Sequence, residues 1–74
     1  MHTYKILLQK EPEGGFTVTV PALPGCITYG ENIDEAIAMA REAIELYIEE
    51  LTERGNVIPD NNNTLEYSLN LVHA

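Results

Sequence analysis

Residues 15–30, GFTVTVPALPGCITYG, decide how this 74-residue chain folds. Phe16, Val18 and Val20 alternate with Thr17 and Thr19. All five are aromatic or β-branched, so propensity and period agree on a strand with one buried face. Pro21 has no amide hydrogen to give a sheet ladder, and Pro24-Gly25 is a turn dipeptide. The corner Pro21-Ala22-Leu23-Pro24-Gly25 therefore ends one strand, tucks Leu23 inward between the prolines and starts another at Cys26. That next strand is short, Cys26 to Tyr29, and Gly30 terminates it.

Towards the N-terminus, Thr3 to Lys10 alternates as well, with Tyr4, Ile6 and Leu8 on one side and Lys5, Leu7 and Gln9 on the other. This is a half-buried strand. Glu11-Pro12-Glu13-Gly14-Gly15 then forms a hairpin loop, its proline stopping the strand and its glycines free to turn. Towards the C-terminus, Asn32 to Arg54 is a helix. Ile33, Ala36, Ile37, Ala40, Ile44, Tyr47, Ile48 and Leu51 fall on one face. Asn32 is the N-cap, with Glu35 three residues on to complete a capping box, and Gly55 suits the C′ position. The opposite face carries Glu42, Glu45, Glu49 and Glu53. After a turn-rich link, Thr64 to Val72 alternates again, Leu65, Tyr67, Leu69 and Leu71 against Glu66, Ser68, Asn70 and Val72, and is expected to be a fourth strand.

The expected class is α+β, in the order β-β-β-α-β, as a single domain spanning residues 1–74. Three strands joined by tight turns make an antiparallel meander, and the crossover helix returns a fourth strand beside the first. The result is a four-stranded mixed sheet of order 3-2-1-4 with one helix on one face. The open face would hold Lys5, Leu7, Gln9, Thr17, Thr19, Glu66, Ser68, Asn70 and Val72. Unpaired outer edges and a chain short enough to be marginal alone both favour self-association, so a homo-oligomer is expected.

Composition narrows the function. Four lysines and arginines stand against twelve aspartates and glutamates, a formal net charge of −8. With no basic stripe to neutralise phosphates, neither direct nucleic-acid binding nor anionic membrane binding is expected. A basic protein partner is favoured by steering, although a solvated acidic surface is the plainer reading of charge alone. The N-terminus lacks a signal-peptide core, and no run approaches the ~20 apolar residues of a membrane span, so a cytoplasmic location is expected.

No catalytic constellation emerges. A β-β-β-α-β order with a 3-2-1-4 sheet resembles a truncated ribonuclease H-like fold, whose chemistry needs clustered carboxylates holding two divalent ions about 4 Å apart. The first strand offers none, and Glu66 is the only acidic residue in any strand body. His2 and His73 are terminal and would lie at opposite ends of paired strands. Cys26, the one cysteine, has no evident activator and reads as a packing residue. Gly14-Gly15 precedes a strand rather than a helix, so it is not a phosphate loop. No catalytic, cofactor-binding or metal-binding residue is assigned.

GFTVTVPALPGCITYGENIDEAIAMAREAIELYIEEL closely resembles the HicB-like antitoxin family. The residues that carry the resemblance are Gly15, Phe16, Val18, Pro21, Leu23, Pro24, Gly25, Cys26 and Gly30, followed by the helix steps Glu35-Ala36 and Glu42-Ala43. It implies a partial ribonuclease H-like fold without nuclease activity. It also implies pairing with a HicA-type toxin, a small basic ribonuclease that cleaves mRNA, whose active site the antitoxin obstructs. Many family members carry a C-terminal DNA-binding domain; this chain is expected to be a short form without one. The motif residues read as structural. The expected partner contacts are Glu11 and Glu13 on the hairpin and Glu42, Glu45 and Glu49 on the helix. The alternative to a toxin-neutralising antitoxin is a free-standing homo-oligomeric scaffold or regulatory domain of the same fold.

Overall fold

Val18 is wholly buried at the centre of a three-stranded antiparallel sheet, and the fold is built around the face it occupies. The computed structural model describes residues 3–72. The strands are β1 (Leu7–Lys10), β2 (Phe16–Thr19) and β3 (Ile27–Gly30), followed by one helix, α1 (Ile33–Glu53). The sheet order is β1-β2-β3, with Leu8 opposite Val18 and Val18 opposite Thr28. β1 and β2 are shorter than the alternating runs that announce them, and β3 is shifted by one residue from the expected Cys26–Tyr29, with Gly30 its last paired residue rather than its terminator.

Two clusters of side chains hold helix to sheet. In the first, Val18 meets Ala36 and Ala40, with Ile6, Leu8 and Phe16 packed alongside. The alanines let the helix approach the strands closely. In the second, Val20, Leu23 and Cys26 from the proline corner pack against Ala43, Ile44 and Tyr47. The corner is a closed hydrogen-bonded unit. The Leu23 amide donates to the Val20 carbonyl (3.0 Å), the Cys26 amide to the Leu23 carbonyl (2.9 Å), and the Val20 amide to the Cys26 carbonyl (3.1 Å). Gly25 takes φ +80° there, the left-handed region that a side chain resists.

Both ends of α1 follow their local sequence. The Glu35 amide donates to Asn32 Oδ1 at 2.8 Å, and Glu35 Oε1 reaches back to accept from the Glu31 amide at 3.0 Å. The reciprocal bond of the box thus goes to the residue before the cap. At the other end Gly55, at φ +72°, donates to Thr52 and Asn56 donates to Leu51, the paired bonds of a Schellman motif.

The helix lies over β2 and β3 and leaves the β1 side of the sheet uncovered. Ile33 and Ile37, on the apolar face by periodicity, are therefore more than 40% exposed. The larger departure concerns residues 64–72. They join no ladder, so the expected four-stranded order 3-2-1-4 is not reached within one chain. Alternation marks a segment that could serve as a strand, but alternation alone supplies no neighbouring strand. Its root is held near β1: the Tyr4 hydroxyl donates to the Pro59 carbonyl, and Lys5 Nζ stands 4.0 Å from Glu66 Oε1. Beyond that the segment projects outwards as an arm.

Candidate partner-binding surfaces

Glu42, Glu45 and Glu49 recur at spacings of three and four on α1, so they share its outer face, and all are exposed. Glu53 extends the row by one more turn. Arg54 is drawn off to Glu50 at 2.7 Å, one turn back, rather than to this row. Carboxylates stacked along one face raise the negative potential above it.

Glu11 and Glu13 belong to a different part of the molecule. Phe16 pairs with Gly30, and α1 starts three residues after Gly30, so the 11–15 loop lies at the end of the sheet where the helix begins. The Tyr47 hydroxyl, by contrast, donates to the Pro24 carbonyl at 2.8 Å, which sets the second half of α1 over the proline corner. Glu49 is at that opposite end. The five glutamates therefore form two separate acidic patches rather than one. Glu11 is half-buried, and its backbone is engaged in the loop, accepting from the Gly14 amide and donating to the Gly15 carbonyl, both at 3.0 Å. A shallow cleft of about 520 Å³ opens beside this loop, lined by Glu11, Glu13, Thr17 and Tyr29, with the Tyr29 hydroxyl donating to the Gly14 carbonyl.

Periodicity had an unused signal in the third strand. Thr17 faces Tyr29 and Thr19 faces both Leu7 and Ile27, so these residues share the side of the sheet turned away from the helix. Leu7, Ile27 and Tyr29 are each about half exposed there. The alternation of Ile27 and Tyr29 about Thr28 marks them as a face, and this face is more apolar than the one read from strands one and two alone.

A third feature is the groove of about 380 Å³ on the flank of α1, where Ile37, Ile44 and Ile48 look across to Tyr4 and Ile6, with Arg41 and Glu45 at its rim. The uncovered β1 side of the sheet leaves it open.

The family-motif residues divide between the core and the surface, with Glu35 and Glu42 exposed. Val18, Leu23, Cys26, Gly30 and Ala36 are buried, and Pro21, Pro24 and Gly25 shape the exposed corner over Leu23. Burial raises the Cys26 thiol above its ordinary value of 9.0, which keeps it neutral and a weak nucleophile. Burial, with Asp60 nearby, likewise raises the Tyr4 phenol. His2 and His73 lie outside the described residues. Among the described residues no three His, Cys, Asp or Glu side chains converge to hold a metal, and no helix is long and apolar enough to cross a membrane. What the described surface offers is docking area: an acidic helix face, an acidic loop, an apolar sheet face and an apolar groove.

Comparison with known proteins matches the chain, over residues 4–72, to the HicB-like antitoxin of bacterial toxin–antitoxin systems. A UPF0150 protein of Thermoplasma acidophilum is 42% identical over 59 residues, covering 80% of this chain and 86% of that protein. One from Synechocystis is also 42% identical over 59 residues, covering 80% and 75%. A 14.9 kDa protein of Haemophilus phage HP1 is 36% identical over 64 residues, which cover 86% of this chain but 47% of the phage protein.

Proposed function

This chain belongs to the HicB-like antitoxin family of bacterial toxin–antitoxin systems, and we propose that it neutralises a small, basic, HicA-type mRNA-cleaving toxin by binding over its active site. The match over residues 4–72 carries the reading. The formal charge of −8 supports it, because a ribonuclease that grips phosphates presents a basic surface. In this reading the chain is itself non-catalytic and works as one domain in the cytoplasm. Its meander and helix serve as part of a ribonuclease H-like scaffold with no nuclease chemistry. Glu42, Glu45 and Glu49 supply the principal acidic contact and Glu11 and Glu13 a secondary one. The uncovered arm supports self-association alongside toxin binding.

Co-expression with the small basic reading frame nearest its gene tests the proposal. Growth arrest by that product alone, relieved by this chain, is the expected result. Reversing Glu42, Glu45 and Glu49 to lysine should weaken the complex at least about tenfold at low salt and reduce relief in proportion. A toxin that is not relieved, or a complex indifferent to charge reversal and to salt, would overturn the neutralising role or the acidic contact respectively.

A further inference from the structure

We propose that two copies of this chain exchange their C-terminal arms, residues 64–72 of each adding as a fourth strand to the outer edge of β1 in the other and covering the groove beside its helix. Among the described residues β1 pairs with β2 alone, so its other edge has ladder groups to offer. Because α1 is displaced towards β2 and β3, the space beside β1 has a ready-made roof in Ile37, Ile44 and Ile48. A strand laid there with the same side-chain alternation as β1 would aim every second residue at those isoleucines. The arm has that pattern: Leu65, Tyr67, Leu69 and Leu71 alternate with Glu66, Ser68 and Asn70.

The arm is also strikingly uncovered for its composition, with Tyr67 87% and Leu69 72% exposed. The molecule measures 51 × 29 × 19 Å, with a radius of gyration of 14.5 Å. A compact chain of this length would have about 11 Å. Its root is tied to the entry of β1 through Tyr4 and Lys5, and none of residues 64–72 joins a ladder of its own chain.

Charge favours this contact over others between two copies. A chain of −8 repels its like, yet residues 61–72 carry a single charge, Glu66. At the receiving groove Arg41 and Glu45 stand together on the rim, and Lys10 closes β1.

The exchange deepens the self-association named above, and its test separates the two. Sedimentation of the full chain should give a dimer. Leu69→Asp with Leu71→Asp on the arm, or Ile37→Glu on the exposed rim of the groove, should raise the dissociation constant at least about 100-fold, with helical circular dichroism unchanged because these residues are exposed within one chain. In a dimer mixed from isotope-labelled and unlabelled chains, filtered NMR should give contacts between Tyr67 or Leu69 of one copy and Ile44 or Ile48 of the other. A monomer at all concentrations, or those contacts arising only within one chain, would overturn the exchange. A dimer that neither substitution set weakens would retain self-association and overturn the arm as its cause.

Discussion

A β-carbon added to Gly30 would stand 2.3 Å from the backbone nitrogen of Ala36, so the end of β3 and the first turn of α1 are in backbone contact. No flexible side chain is in the way to yield; the obstacle is the helix itself. Gly30→Ala should therefore destabilise the fold by about 3 kcal/mol, the scale of overpacking a close contact. Urea unfolding measures it, and an unchanged midpoint would show that the helix start shifts without cost.

Tyr47 joins the corner to the helix through its hydroxyl on the Pro24 carbonyl. Tyr47→Phe keeps the ring against Val20, Leu23 and Cys26 and deletes only that bond. A loss of about 1 kcal/mol or less is expected, because the bond is at the surface and water can replace it in part. The urea midpoint should fall with no change in slope.

Asn32 caps α1 from its side chain. Asn32→Ala should cost about 1 kcal/mol, while Asn32→Gly should cost only a few tenths. Amide hydrogen exchange at Glu35 should accelerate more than exchange in the middle of the helix.

Alkaline pH should weaken the fold. Both Cys26 and Tyr4 have their pKa raised on folding, mainly by burial, from ordinary values of 9.0 and 10.0. The folded state therefore holds these protons more tightly than the unfolded state. Their stabilising contribution is complete below the unfolded values and is lost as pH rises through the folded ones. Melts should show stability falling above about pH 9, a fall that Tyr4→Phe reduces. A disulfide reagent should react with Cys26 only as fast as the protein opens.

Much of the frame was legible locally. Val18 inside, Thr17 and Thr19 outside, Leu23 tucked between prolines and the caps at Asn32 and Gly55 all follow from residues within a few positions of one another. Periodicity places Ile33 and Ile37 on the apolar stripe of the helix but does not say which part of that stripe meets the sheet. The acidic residues were legible as exposed, yet their division into two patches depends on which end of the sheet the helix crosses.

By itself the sequence determined the three strands, the rigid corner, the capped helix and the family, since each is set by short-range hydrogen bonding, proline and glycine geometry, and side-chain alternation. Tertiary structure decided where the helix lies and what residues 64–72 do. Both depend on the shape of a packed surface. Ala36 and Ala40 set α1 against Val18, the helix lies over β2 and β3, and a segment that reads as a fourth strand joins no ladder among the described residues.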